Sequence, residues 1–309
     1  MTSHSAVGSA QKDRAATIRS WKRRARRLTP YLFILPKIAI FAAFLLYPLV
    51  QAVLLSFKGG AILSGMRNVG FANYRKILDD DLFWIGLRNT AWYTVLVIPA
   101  VIGAGIGLAA LLNQQIRFRG VFIALLIVPS VASTVAASLI WNYLLQTNGG
   151  LFNAALGLFG VAPVNWLGTP KYLMPIFVAV EVWRGAGFYA IIFLASMQSI
   201  PSHLYDAAAI DGATASQSFR LITLPLMRPA LLFSTVMATI WNFQLFDSPY
   251  VMTKGGPGHA SLTIVMYIYD RAFKYDSMGM AATMSIVLLL IIMCLALLQL
   301  RLFHKEIQF

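Results

Sequence analysis

Two charged side chains lie within an otherwise apolar stretch and are the first candidates for chemistry. Glu181 and Arg184 are three residues apart in the run 171–199, so a helix places both on one face, which Gly185 and Phe188 continue. Ionisable groups inside an apolar run are costly and usually face a bundle interior. This face either contacts a polar solute or carries a structural ion pair that locks two helices, and the sequence leaves both interpretations open.

A second stripe of the same kind follows in the run 229–250. Ala238, Asn242 and Leu245 share a helical face, with Trp241 adjacent to it. An aromatic ring can stack on an apolar ligand surface while an amide bonds hydroxyl groups. Asn142 and Thr134, in the run 119–146, are weaker candidates, and a threonine there commonly bonds its own backbone. These residues are candidates for contact with a polar solute, beside the structural roles that such residues also fill.

The sequence offers no site for a metal or a nucleotide. Its four histidines, His4, His203, His259 and His304, are too scattered to form a ligand set. The glycine-rich segment 255–258 is not followed by Gly-Lys-Ser or Gly-Lys-Thr, so it is not a phosphate loop. We therefore expect no cofactor. A membrane-embedded enzyme is disfavoured because acidic residues and histidines do not cluster at one depth.

Composition indicates that lipid surrounds much of the chain. Only 12% of the 309 residues are charged, against about 25% in soluble domains. Six apolar runs are long enough to cross a bilayer, and each must be helical because lipid cannot satisfy backbone polar groups. The runs are 31–57, 85–113, 119–146, 171–199, 229–250 and 279–302. The predicted fold class is an all-α integral membrane protein with six transmembrane helices.

The orientation is predicted from the basic residues that precede the first run. The cluster consists of Lys12, Arg14, Arg19, Lys22, Arg23, Arg24, Arg26 and Arg27. Such clusters remain cytoplasmic and are attracted to anionic lipid. No zinc spacing or RNA-binding aromatic signature accompanies the cluster, so nucleic acid is not an expected partner. We predict a basic cytoplasmic tail at 1–28 and a transmembrane domain at 29–309 in the plasma membrane, with both termini in the cytoplasm.

This orientation assigns a side to every link. The 114–118 and 200–228 links become cytoplasmic, and the 58–84, 147–170 and 251–278 segments become external. The 58–84 segment opposes the assignment, because it contains four basic residues, although three aspartates, 79–81, partly offset them.

The 200–228 link predicts a helix–glycine–helix element on the cytoplasmic face. Ser202 is the expected N-cap of a first helix that extends to Ile210, and Gly212 is expected to adopt a positive φ after it. A second short helix is expected at 215–222. We expect Pro225 and Pro229 to stop this second helix before the fifth span.

This link resembles the EAA loop of permease subunits of ATP-binding-cassette importers. The pattern is carried by Asp206-Ala207-Ala208, Gly212 and Ile222-Thr223-Leu224-Pro225, in register throughout. One departure is Asp206, where glutamate is commoner. The resemblance implies that this element couples the permease to an ATPase. The residues assigned to coupling are Asp206, Ala207, Ala208, Asp211, Gly212, Leu224 and Pro225.

Other segments resemble the carbohydrate and glycerol-phosphate branch of that family, related to the larger maltose permease subunit. They are Gly70-Phe71-Ala72-Asn73-Tyr74, Phe246-Asp247 and Gly255-Gly256-Pro257, among others. The resemblance implies the type I importer fold, and it places the two polar stripes at sugar-contacting positions, with Asn242 as a sugar-bonding amide.

The same resemblance implies a set of partners. They are a second permease of similar fold, two cytoplasmic ATP-binding subunits that bind the ATP, and an extracytoplasmic solute-binding protein. The alternative is a stand-alone secondary transporter or channel, for which we would expect paired repeats with broken helices.

Overall fold

The computed structural model describes residues 31–60, 65–114 and 116–303. The predicted tail at 1–28 and the C-terminal Lys305 lie outside the described residues. The chain divides into two compact units after Leu55, and every tertiary contact given below lies within the second unit. In the first unit, an apolar helix begins at Tyr31, and its side chains are largely exposed.

The described residues are mostly helical. The helices are α1 (Tyr31–Ser56), α2 (Ala72–Leu78), α3 (Asp81–Leu112), α4 (Arg119–Val131), α5 (Thr134–Leu144), α6 (Leu151–Gly157), α7 (Pro170–Gln198), α8 (Ser202–Ile210), α9 (Ala215–Ser218), α10 (Leu224–Leu226), α11 (Arg228–Phe243), α12 (Asp247–Met252), α13 (Ile264–Tyr269) and α14 (Met278–Phe303). A short antiparallel hairpin pairs β1 (Lys58–Gly59) with β2 (Arg67–Asn68).

Five stretches of the described chain are long and apolar enough to cross a membrane, and a bent helix pair makes a sixth. The stretches are Tyr31–Ser56, Asp81–Leu112, Pro170–Gln198, Arg228–Met252 and Met278–Leu302, and the pair is α4 with α5. Five of the six predicted runs therefore coincide with such helices, and the sixth, 119–146, coincides with the bent pair. The third span is the exception in shape.

The prediction of one continuous third helix is wrong. The chain bends by 95° between α4 and α5, and Ala132 and Ser133 have extended backbone with ψ of 143° and 133°. Pro129 lies in the last turn of α4, where its ring removes a backbone donor and crowds the preceding turn. The apolar composition of the run correctly predicts helices there, but composition alone does not indicate that the helix breaks after Pro129.

The bundle is built around the pairing of α3 with α7, which is the most extensive helix contact. Small residues allow this close approach. Gly105 of α3 lies against Tyr189 and Ala190, and a side chain on Gly187 of α7 would overlap the Leu126 carbonyl oxygen of α4. Glycine is therefore required where these three helices meet.

Polar contacts fasten the 253–274 segment to the start of α3. The Asn89 amide donates to the carbonyls of His259 and Leu262, both at 3.0 Å. Asp80 caps α3 and also accepts hydrogen bonds from Tyr267 at 2.7 Å and Arg271 at 2.9 Å. Burial and the bond to Asp80 raise the pKa of Tyr267 to about 12, so this phenol stays protonated at neutral pH.

Candidate functional site

The first half of the predicted coupling element is the helix α8. It begins at Ser202 and ends at Ile210. The prediction of Ser202 as the N-cap is wrong by one residue. Pro201 occupies the N-cap with extended backbone and no side-chain hydrogen bond, because its ring fixes φ near −61° and positions the next residue as the first of the helix.

The end of α8 is fixed by a left-handed glycine, as the sequence predicts. Gly212 has φ of +77°. Its N–H donates to the Ala209 carbonyl at 3.1 Å, and the Ala213 N–H donates to the Ala208 carbonyl at 2.9 Å. This pair of bonds is the Schellman arrangement, which satisfies the last carbonyls of a helix. The direction in which the chain leaves α8 is therefore set by local hydrogen bonds.

The second half of the element is longer and less regular than predicted. Thr214 and Gln217 form a capping box at the start of α9. The chain then makes a π turn over Phe219–Thr223 and continues as α10 through Pro225 to Leu226. This helix ends before the fifth span, as predicted, but the prediction that Pro225 helps to stop it is wrong, because the helix continues through Pro225 to Leu226. In an ordinary α-helix the ring of Pro225 would clash with the preceding turn, and Pro225 has no N–H to donate. The π turn widens the helix directly before the proline, so the chain can continue as a helix.

The signature residues of the first half face outward. Asp206, Ala207, Asp211 and Gly212 are exposed and Ala208 is half-buried, while no residue of α8 is fully buried. In the second half Leu224 and Pro225 are half-buried. The exposed face is available to a partner, and the half-buried pair lies toward the bundle.

A hydrogen bond that sequence reasoning missed connects the two halves. The hydroxyls of Tyr205 on α8 and Thr223 in the π turn lie 2.8 Å apart. Thr223 is one residue of the Ile222-Thr223-Leu224-Pro225 pattern, but the pattern alone does not indicate its partner. The two signature segments of the coupling element are thus joined side chain to side chain.

The two links predicted to be cytoplasmic lie at the same end of the bundle. Leu112 at the end of α3, Met197 near the end of α7 and Met227 before α11 belong to one buried cluster. When the Gln198 amide is oriented with its oxygen toward Arg119, that oxygen accepts hydrogen bonds from the Arg119 guanidinium at the start of α4. The coupling element therefore sits beside the start of the broken span.

Glu181 and Arg184 pair with each other on α7. Arg184 donates from Nη2 to both carboxylate oxygens, at 2.8 and 3.0 Å, and from Nε to Oε2 at 3.1 Å. Both side chains are mostly buried, with 18% and 25% of their surfaces exposed. The pair lies within one helix, so it does not by itself lock two helices together. Nη1 of Arg184 has no hydrogen-bond partner among the described residues.

Asn242 on α11 bonds across the bundle to α3. Its Oδ1 accepts from the Tyr93 hydroxyl at 3.0 Å, and its Nδ2 donates to the Ala238 carbonyl at 2.8 Å. Both Tyr93 and Asn242 are almost completely buried. Sequence reasoning missed Tyr93, since it is 149 residues away and resembles any other interfacial or core tyrosine.

The aromatic candidates of the two stripes meet. The rings of Phe188 on α7 and Trp241 on α11 have centroids 5.6 Å apart, and both rings are exposed. Gly185 is buried beside the Glu181 carboxylate, and Leu245 packs with the buried cluster around Tyr93. The two predicted stripes are therefore neighbours at this aromatic pair. The prediction that Leu245 continues the helical face of Ala238 and Asn242 is wrong, because α11 ends at Phe243.

Thr134 is not brought to this group. It is the first residue of α5, directly after the bend, and its carbonyl accepts a bond from Ser138 at 2.7 Å. In the described part of the chain no hydrogen bond or ring contact joins Thr134 to the other candidates. Trp141 of α5 instead approaches α7 at Trp183, with ring centroids 5.8 Å apart.

The sequence and the fold both have known relatives. A family model described as "Binding-protein-dependent transport system inner membrane component" matches residues 101–307. The lactose transport system permease protein of Rhizobium radiobacter is 34% identical over 92% of this chain and 97% of its own length. The arabinooligosaccharides transport system permease protein of Bacillus subtilis is 34% identical over 90% of this chain and 89% of its own.

A solved structure shares the fold. It is a chain of a bacterial ABC transporter involved in the import of the acidic polysaccharide alginate, with a TM-score of 0.82 and 24% identity, and the match covers 94% of this chain and 100% of that one. Together with the matched family model and the relatives, the number of spans and the coupling element identify the family. This chain belongs to the inner-membrane permease components of binding-protein-dependent transport systems.

Proposed function

We propose that this chain is one of two permease subunits of an ATP-binding-cassette importer that carries a neutral sugar or oligosaccharide into the cytoplasm. The observation that carries the proposal is the coupling element: an exposed helix with a fixed end, at one end of the bundle, with the spacing of the family signature. A glycerol-phosphate-type solute is the other substrate class that the sequence resemblance allows.

ATP binding and hydrolysis are assigned to two partner subunits. The exposed face of α8 fits a groove of such a subunit, because Ala207 and Ala208 are small and Ile210 is 87% exposed. An ion pair between Asp206 and a basic residue of the ATPase would add only about 0–1 kcal/mol if it stays exposed. Packing of the alanines and Ile210 is therefore the expected source of affinity. In this arrangement the coupling element and both chain termini are cytoplasmic.

The charges of the predicted pathway support a neutral solute. Arg184 is neutralised by three hydrogen bonds to Glu181, so the pair has little net charge with which to attract an anion. It still offers Nη1 donors and carboxylate lone pairs, which suit sugar hydroxyls. The exposed rings of Phe188 and Trp241 offer an apolar surface for the sugar face. The named relatives transport lactose and arabinooligosaccharides, which are neutral.

Asn242 can take part through its second amide hydrogen or by an exchange of partners. In the described conformation its oxygen is held by Tyr93 and one of its amide hydrogens by Ala238. A sugar hydroxyl that binds Asn242 would either use the second amide hydrogen or replace Tyr93. We assign Asn242 and Leu245 to the inner wall of the pathway, and Thr134 to its edge beside the bend.

The broken third span is the one feature shared with the alternative, a secondary transporter. Such transporters have broken helices in paired repeats, with the solute site between them. The described residues contain one bent pair that passes as a span, and the family match favours the importer.

Co-purification and a stimulation assay test the proposal. The tagged chain is extracted in mild detergent, and the co-purifying chains are identified. We expect an ATPase and a second permease, and we expect the ATPase rate to rise when the binding protein and lactose or an arabino-oligosaccharide are added. A lone monomer that recurs in several detergents with ATP present would contradict the proposal. Stimulation by glycerol phosphates alone would reassign the substrate.

A further inference from the structure

Tyr205 is held by a specific contact that the family signature does not include. Its hydroxyl lies 2.8 Å from the Thr223 hydroxyl, 18 residues further along the chain. Thr223 is 6% exposed and Tyr205 is half-buried, so little water competes for this bond. A shielded hydrogen bond between two neutral hydroxyls shifts the ratio of bonded to unbonded forms about three- to tenfold.

The helix α8 has few other attachments. None of its residues is fully buried. Within the part of the chain that the structure describes, the bond to Thr223 is the one side-chain hydrogen bond from α8 to another element. Otherwise α8 is held by its two backbone connections, at Pro201 and at Gly212, and by the packing of its half-buried residues Leu204, Tyr205 and Ala208. Without the bond, α8 could pivot about these two points.

Thr223 connects this bond to the bundle core. It closes the π turn, and its carbonyl accepts from the Met227 N–H at 3.0 Å. Met227 is completely buried, in a cluster that includes Leu112 of α3 and Ala238 of α11. A displacement of α8 is therefore passed through two hydrogen bonds to a close-packed side chain directly before α11.

We propose that Tyr205 is a positioning residue for energy coupling: its bond to Thr223 holds α8 at a fixed angle to α11, so that movement of the ATPase reaches the solute pathway. The inference rests on the proposed function, because it assigns a transmission role within the same coupling element. It predicts that loss of the bond uncouples ATP hydrolysis from transport without preventing assembly of the complex.

The test uses the complete complex in proteoliposomes with binding protein and solute. The variants are Tyr205→Phe, Thr223→Val, Thr223→Ser and the double variant of the first two. We measure complex yield, the ratio of stimulated to basal ATPase rate, and solute transported per ATP. Tyr205→Phe and Thr223→Val should each lower the last two quantities about three- to tenfold at unchanged yield. The double variant should match either single one, and Thr223→Ser should retain most of the parent's coupling.

Tyr143→Phe is the matched control, because Tyr143 is an exposed tyrosine of α5 outside the coupling element. It should behave as the parent does. The inference is overturned if Tyr205→Phe keeps the parent's coupling, if the two single effects multiply in the double variant, or if only complex yield falls. Failure of the proposed function itself appears earlier and separately, as absence of the ATPase or of solute stimulation in the parent chain.

Discussion

The coupling element and the solute-facing stripes are built in different ways. In the coupling element, the hydrogen bonds that set the shape are local: those that end α8 span three to five residues, and the longest, Tyr205 to Thr223, spans 18. In the stripes, the decisive contacts are distant, such as Tyr93 with Asn242, 149 residues apart. A local motif can keep its shape while the bundle rearranges, whereas a pathway built from distant contacts must change with the bundle.

The strongest test of this comparison breaks the local motif. Gly212→Pro should abolish transport while the chain still inserts in the membrane. Proline requires φ near −65° in place of +77°, and it removes the N–H that bonds Ala209. Transport is measured as solute uptake, and insertion as the amount of chain in the membrane fraction.

Two variants sharpen the interpretation. Gly160→Pro is the matched control, because Gly160 also has a left-handed φ, of +73°, and donates a turn bond, but lies outside the coupling element. It should transport well. Gly212→Ala should retain partial activity, because a methyl group at this position meets open space. The remaining cost, about 1–2 kcal/mol, comes from holding alanine in the left-handed backbone conformation. Normal uptake by Gly212→Pro would refute a coupling role for the end of α8.

The second largest effect is expected from separating the ion pair of α7. Arg184→Gln leaves the Glu181 carboxylate without its cation in a mostly buried position. For a fully buried pair such a change costs about 3–5 kcal/mol, and partial exposure lowers that figure here. We expect uptake to fall more than tenfold, together with a lower unfolding temperature of the purified complex.

The double variant Glu181→Gln with Arg184→Gln separates the two roles of the pair. It removes the uncompensated charge, so the unfolding temperature should recover. If the pair contacts solute, uptake should remain low because the donors of Arg184 are lost. Recovery of both quantities would show that the pair is structural, and the pathway would then have to be assigned to other residues.

Sequence reasoning succeeded where the controlling interaction is local in the chain or is the same for every span. Lipid imposes the same requirement on every span, so the apolar runs located the membrane helices, and a glycine after an alanine-rich helix predicted the positive φ of Gly212. It failed at two prolines, where the effect of the proline competes with another local rule. Near Pro129 the helix ends although the apolar run continues, and at Pro225 the helix continues because a π turn precedes the proline.

The partners of the site residues could not be predicted. Nothing around Tyr93 in the sequence indicates that its hydroxyl meets Asn242, since the pairing depends on how α3 and α11 pack. The same holds for the contact between Phe188 and Trp241. Periodicity gives the face of a helix on which a residue lies, but not which other face it meets.

An intermediate effect is expected from Asn242→Ala. The change removes an amide from the proposed inner wall and leaves the buried Tyr93 hydroxyl without its acceptor, at a cost of about 1–3 kcal/mol. Uptake should fall about five- to tenfold, mainly through a higher half-saturating solute concentration. Asn89→Ala is the matched control, because the Asn89 amide also bonds to distant backbone, the His259 and Leu262 carbonyls at 3.0 Å, and is not a pathway candidate. Equal losses in both variants would contradict a special role for Asn242.

The smallest effect should come from Tyr93→Phe. The direction in which the half-saturating solute concentration changes shows whether Tyr93 competes with the solute for Asn242 or orients Asn242 for it. The change removes only the hydroxyl that occupies Asn242 Oδ1. The ring packing stays, so stability should fall by about 1 kcal/mol. If solute must displace Tyr93 to reach Asn242, the freed oxygen should lower the half-saturating solute concentration about two- to threefold while the maximal rate falls slightly. A rise in that concentration would mean that Tyr93 orients the amide for the solute. Because the contact joins α3 to α11, either result shows how a hydrogen bond between two helices sets the solute affinity of the proposed pathway.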